Sequence, residues 1–159
     1  MFLLMNYNKI INWLSYAFFV FAVLTASSIF FADFSDSGYK NSPLAPPQWF
    51  FFFIWTALFI LIGFSLRRVH GLRIKNKVLA LPTILFIIQL LINLLWGLVF
   101  GFTRSLSLSP IILLFAWFFI LTAVIEFYKI DKRCAYLMVP YLAWVNAAVI
   151  VSIATAVYN

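Results

Sequence analysis

Three short runs of the chain carry residues suited to holding a flat, apolar molecule. Gln89, Asn93 and Trp96 follow one another at i, i+4, i+7, so on a helix two side-chain amides and an indole share one stripe. Tyr141, Trp144, Ala148, Ser152 and Thr155 follow at i, i+3, i+7, i+11, i+14. That is again one stripe, and its second half is small. Small residues in an apolar helix let a neighbour approach closely or leave a hole. Phe51, Trp55, Phe59 and Ile62 form a third stripe, with Thr56 beside it. The chemistry open to these types is recognition: stacking on indole faces, hydrogen bonds from amide and indole N–H groups, and space beside the small residues. The same spacings serve ordinary core packing and interhelical hydrogen bonds, and spacing alone does not separate the two readings.

The elements that must position these stripes are membrane spans. Of 159 residues, 66% are hydrophobic and 9% charged, against about half and about a quarter in soluble domains. A soluble fold of this length cannot hide so much apolar surface, so lipid is the expected solvent. Crossing ~30 Å of hydrocarbon takes about 20 apolar residues. Five stretches qualify, at about Ile10–Phe31, Pro47–Leu66, Val78–Phe100, Pro110–Tyr128 and Tyr136–Tyr158. The expected fold is therefore all-α, an integral membrane bundle of five transmembrane helices forming one domain over residues 1–159.

The gaps between spans have their own chemistry. Asp33, Phe34, Ser35, Asp36, Ser37 and Gly38 stop the first span, and Pro46 and Pro47 then stand where a helix starts, since an N1 proline loses no hydrogen bond. Ser109-Pro110 has the pattern of an N-cap followed by N1. Arg67, Arg68, Arg73, Lys75 and Lys77 follow span two, Lys129, Lys132 and Arg133 follow span four, and Lys9 precedes span one. With five spans these nine basic residues lie on one side, and only Lys40 and Arg104 on the other. The positive-inside rule then gives a multi-pass protein with a cytoplasmic N-terminus and an external C-terminus in a plasma membrane. A formal charge of +7 suits nucleic acid in other contexts, but charges confined to short loops between apolar runs have the pattern of membrane loops, so no nucleic-acid partner is expected.

Depth separates two indoles from the rest. Trp55 lies eight residues past Pro47, and Trp144 eight past Tyr136, which places each roughly 12 Å into the membrane from opposite sides. Trp13 and Trp49 fit the interfacial belt, whereas Trp55 and Trp144 lie too deep for it.

Hydrolytic and metal chemistry find no support. His70 is the one histidine, in a basic loop, and Cys134 the one cysteine. There is no His/Cys ligand cluster, no Walker loop and no HExxH, and no cofactor is expected. Glu126 is the one acid inside a predicted span. With Lys129 and Arg133 three and seven residues beyond it, on one face if the helix continues, it has the pattern of a solvated helix end.

The motifs carry a resemblance. Ser42-Pro43-Leu44-Ala45-Pro46-Pro47-Gln48-Trp49-Phe50-Phe51 followed by Ile54-Trp55-Thr56-Ala57-Leu58-Phe59, then Gln89-Leu90 with Asn93, Trp96 and Phe100, then Val139-Pro140-Tyr141-Leu142-Ala143-Trp144-Val145 with Ala148 and Asn159, run in order along the chain. Together they resemble the signature segments of the TspO/MBR translocator family. Ser152 stands where members commonly carry Asn, and Gly97-Leu98 where Ser-Pro is usual. The resemblance implies a five-helix bundle, usually a homodimer in the lipid bilayer. It implies binding of tetrapyrroles such as protoporphyrin IX, and in some members of sterols or benzodiazepine-type ligands. By position Trp55, Asn93, Trp96, Trp144, Ala148 and Ser152 would line the pocket, beneath a lid shaped by Pro46, Pro47 and Trp49. A porphyrin would stack against Trp55 and Trp144, with its carboxylates emerging near Lys40 and Arg104. Three functions follow for comparison: a sensory, scavenging or transport protein that binds porphyrin; an enzyme of light- or oxygen-dependent porphyrin breakdown, using Trp55 and Trp144; and a channel or structural subunit, against which the absence of an interior charge ring speaks. Gly97 and Gly101 form a GxxxG that would suit a dimer contact. Val124, Tyr128 and Lys132 fit a loose sterol pattern.

Overall fold

The computed structural model describes residues 47–76, 80–103 and 105–159. Among them the chain is wholly helical: α1 (Gln48–Asn76), α2 (Ala80–Thr103), α3 (Leu108–Ile130) and α4 (Lys132–Tyr158). These correspond to the second to fifth expected spans. The expected first span, Ile10–Phe31, lies outside the described residues, as do Pro46, Lys40 and Arg104. Three stretches among the described residues are long and apolar enough to cross a membrane, at Leu81–Phe100, Leu108–Ile130 and Lys132–Tyr158.

The stripes that face inward repeat at alternating steps of three and four. In α1 they are Trp55, Leu58, Ile62, Ser65 and Val69; in α2 Phe86, Gln89, Asn93 and Trp96; in α3 Ser109, Leu113, Ala116, Ile120, Ala123 and Phe127. In α4 Cys134, Met138, Tyr141, Val145 and Val149 follow at steps of four, three, four and four. A mean step near 3.5 keeps one seam facing its neighbours along the whole helix. Accordingly α1 packs on α4, α2 on α3, and α3 on α4. Phe86 and Phe127 stack across the α2–α3 seam at 5.9 Å and 8°, while Ala116, Ala123 and Ala135 let backbones come close. The outward faces carry Phe64, Leu91, Leu95, Leu114, Phe115, Phe118 and Ile150, all exposed. Such faces belong against hydrocarbon.

Helix boundaries depart from the hydropathy pattern in instructive ways. α1 starts at Gln48, with Pro47 just outside and its carbonyl accepting from the Phe50 N–H at 3.0 Å. It runs ten residues past Leu66, through the arginines. Charges end an apolar span, but arginine and leucine are good helix formers and do not end a helix. Pro82 and Pro110 both fall in first turns, where the missing N–H has no intrahelical partner anyway. Pro140 lies within α4, as membrane helices tolerate.

Asp131 alone breaks and restarts the chain between α3 and α4. Its backbone is extended, and its N–H donates to the Phe127 carbonyl at 3.0 Å, closing α3. Its side chain accepts from the Arg133 N–H at 2.7 Å, capping α4. The other carboxylate oxygen accepts from Arg68 Nη2 at 2.8 Å and Nε at 3.0 Å. The Arg68 guanidinium, followed by the Arg133 amide, holds this carboxyl below its ordinary range, and Asp131 in turn raises Arg68. Beside this pair Ser65 Oγ donates to the Cys134 carbonyl at 2.8 Å. The basic end of α1 around Arg68 and the basic turn after α3 therefore share one end of the bundle. Because the helix breaks at Asp131, Glu126 pairs with Lys129 alone and not with Arg133; it is a helix-end residue, as its spacing suggests.

A buried aromatic and amide cluster

Trp55 and Trp144, counted into the membrane from opposite ends, meet. Their ring centroids are 6.5 Å apart and nearly perpendicular. Trp55 is 2% exposed. It stacks with Phe59 at 5.4 Å and with Trp96 at 6.2 Å, and Tyr141 presents an edge at 6.2 Å. Trp96 stacks in turn on Phe100 at 5.6 Å. Three helices thus contribute one continuous aromatic body, which the alternating seam positions of α1, α2 and α4 bring to one level.

The amide stripe of α2 is aimed at Tyr141. The Tyr141 hydroxyl donates to Gln89 Oε1 at 2.9 Å, and Asn93 Nδ2 donates to the same hydroxyl oxygen. All three are buried, so each polar group in this apolar layer needs a partner. A second relay lies toward the α2–α3 turn. Trp96 Nε1 donates to Ser109 Oγ at 2.9 Å, and Ser152 Oγ donates to the same oxygen at 2.9 Å. The buried nitrogens Trp55 Nε1 and Gln89 Nε2 have no hydrogen-bond partner among the described residues.

The sequence-derived site residues divide by exposure. Trp55, Asn93 and Trp96 are buried, whereas Trp144, Ala148 and Ser152 are half-buried and form the more open flank. Phe50 extends that flank, its ring 6.1 Å from Trp144. Pro47 and Trp49 stand exposed at the start of α1, where Trp49 contacts Phe50 and Phe53 edge-on. The expectation that a ligand stacks on the Trp55 face meets an obstacle, since Phe59 and Trp96 already occupy ring faces of that indole. Its N–H edge is the part left unmatched. Ser109 departs from its expected role as a cap. The helix begins at Leu108, two residues before Pro110, so Ser109 falls inside the first turn and points inward. Gln89 and Tyr141 were legible as stripe members, but not as partners of each other. Asn146 is exposed. Gly97 is buried within the chain and offers no free surface to a second copy. Among the described residues no three His, Cys, Asp or Glu side chains gather as a metal site would require.

Comparison with known proteins agrees with this architecture. The profile of the TspO/MBR family matches residues 16–158. A tryptophan-rich protein TspO of Chlorobaculum tepidum is 36% identical over 103 residues, 65% of each chain. Protein CrtK of Rhodobacter capsulatus is 29% identical over 109 residues, 69% of this chain and 68% of that one. A tryptophan-rich sensory protein of Cereibacter sphaeroides is 31% identical over 103 residues, 65% of this chain and 63% of its own. The match thus spans just under two thirds of the length of the first of these relatives. A helical chain with several spans, a buried tryptophan cluster and a profile match over nearly its whole length is a multi-pass integral membrane protein, and it belongs to the TspO/MBR family.

Proposed function

We propose that the chain binds a flat, largely apolar ligand of the tetrapyrrole type within the bundle, in a sensory, scavenging or transport role. The observation that carries this reading is the pair of buried donors, Trp55 Nε1 and Gln89 Nε2, left without partners among the described residues inside an aromatic cluster. Buried N–H groups are rarely orphaned, and a native orphan calls for a ligand or an ordered water. A pocket with ring faces and a few convergent donors suits a planar ligand carrying acceptor atoms. The ligand lies along Trp144, Ala148 and Ser152, the half-buried flank, with the N–H edge of Trp55 toward it. Pro47 and Trp49, exposed at the start of α1, stand at the mouth, and by the family resemblance Pro46 would help to shape the lid there. Charged carboxylates of a porphyrin stay near the surface, because a charge deep in the bilayer is costly. Sterols and benzodiazepine-type ligands are the other flat molecules for the same flank. A homodimer, expected from the family, forms through an exposed helix face other than the one holding Gly97.

The test is a titration of purified protein with protoporphyrin IX, read by quenching of tryptophan fluorescence. Saturable quenching with a stable, red-shifted porphyrin band supports binding. Absence of saturable quenching refutes it. The chain of indoles at 6.2 to 6.5 Å also favours a second reading, in which an illuminated porphyrin is oxidised and degraded with dioxygen as the oxidant, Trp55 and Trp144 relaying electrons. Loss of porphyrin absorbance under light that requires both indoles selects that reading.

A further inference from the structure

The turn between α3 and α4 presents phenols and cations together. Tyr128 lies in the last turn of α3 and Tyr136 near the start of α4. They are 46% and 61% exposed, and their rings meet edge to face at 6.4 Å. Lys132 sits between them with Nζ 5.6 Å from the centre of the Tyr128 ring, and Arg133 is exposed beside it.

Acidic partners are scarce at this end. The whole chain has four carboxylate side chains. The two among the described residues are already engaged, Glu126 with Lys129 and Asp131 with Arg68. Lys132 and Arg133, together with exposed Arg67, form no ion pair with a carboxylate among the described residues. The turn also closes one candidate span and opens the next, Leu108–Ile130 and Lys132–Tyr158. It therefore sits where hydrocarbon gives way to headgroups, the level that amphipathic phenols favour.

A lipid phosphate supplies what this turn lacks. It brings negative charge for Lys132 and Arg133 and acceptor oxygens for the two tyrosine hydroxyls. Its acyl chains continue onto the exposed apolar face of α3, along Ile125 and Phe118. We propose that the α3–α4 turn is a binding site for the headgroup of an anionic phospholipid in the adjoining leaflet. The site is separate from the aromatic cluster and does not depend on what that cluster binds.

The experiment is native mass spectrometry of the full chain released from detergent, with equimolar phosphatidylglycerol and phosphatidylcholine as competing probes. Wild-type protein should retain the first phosphatidylglycerol about fivefold or more over phosphatidylcholine, the preference expected of one or two interfacial cations. Lys132→Gln with Arg133→Gln should remove most of that preference. Lys75→Gln with Lys77→Gln takes the same charge from the other basic segment and should leave it largely intact. Tyr128→Leu with Tyr136→Leu, which alters no charge, should lower it as well, and this variant carries the test if the first double variant does not fold. No phosphatidylglycerol preference in the wild type overturns the proposal. Equal losses in the two charge-removed variants also overturn it, because diffuse surface charge would then be the cause. Displacement of the bound lipid by millimolar inorganic phosphate would mark a free-anion site and likewise reject the lipid assignment.

Discussion

The hydroxyl of Tyr141 stands between two amides of one α2 stripe, donating to Gln89 Oε1 at 2.9 Å and accepting from Asn93 Nδ2. A single phenol on α4 thus serves the polar groups of α2 in a layer otherwise filled by indoles. Tyr141→Phe keeps the ring but leaves both amides short of a partner. Interhelical hydrogen bonds in membranes average less than their burial suggests, so a loss of about 1 kcal/mol is expected. Unfolding of the detergent-solubilised variant by a denaturant series measures it, and an unchanged midpoint would show that the amides find other partners.

The second relay makes a prediction about order. Ser109 Oγ accepts from both Trp96 Nε1 and Ser152 Oγ. Removing the shared acceptor strands two donors, whereas removing Ser152 strands none, since its oxygen is a donor there. Ser109→Ala should therefore destabilise more than Ser152→Ala. The double variant should cost less than the sum, because neighbours in one network are not additive. Equal single effects that add in the double variant would argue against a shared acceptor.

The salt bridge at the basic end sets an acid limit. Asp131 is held below its ordinary value of 3.8 by Arg68 and by the Arg133 amide. A carboxyl with a depressed pKa stabilises the fold fully above its ordinary value. That contribution is lost as pH falls through the depressed one. Asp131→Asn should thus be less stable than wild type at neutral pH, and the two should converge as pH drops below about 4. Because the pair is partly exposed, the difference should be small and should shrink with salt. Parallel stability curves down to the acid limit would show that Asp131 acts only as a cap.

Arg68 touching Asp131 also constrains topology. The basic end of α1 and the turn after α3 lie at one end of the bundle, so they share a side of the membrane. Reporter fusions after Arg73 and after Arg133 should both read cytoplasmic, and a fusion at Asn159 external, as the distribution of basic residues predicts. An external signal at Arg73 would contradict the orientation, and opposite signals at Arg73 and Arg133 would contradict the fold.

The four described helices and the inward stripe of α2 were legible in the sequence, because spacing at steps of three and four is a local property, whereas the inward face of α3 and the Val145–Val149 part of α4 were not. Gln89, Asn93 and Trp96 could be put on one stripe, and Tyr141 and Trp144 on another, for that reason. That Tyr141 would stand opposite Gln89 was not legible, since the register between helices depends on how two seams slide. Ser109 misled because Ser-Pro resembles a cap, and its inward role rests on a helix start two residues earlier, at Leu108. Asp131 was hidden among Lys129, Lys132 and Arg133. Its significance appears only when Arg68 arrives from sixty-three residues away. The end of α1 was missed because charge limits a membrane span without limiting a helix.

On the proposed reading the half-buried flank of α4 takes the ligand. Trp144 provides the ring and Ala148 the space. The measurement is protoporphyrin IX affinity for wild type, Trp144→Ala and Ala148→Leu, each first shown by circular dichroism to keep its helical content. Lost stacking in Trp144→Ala should weaken binding by about two- to tenfold, and the added methyl groups of Ala148→Leu should weaken it by filling the space. Wild-type affinity in both variants would mean that the ligand lies elsewhere, and that the indoles and small residues of α4 are ordinary core packing.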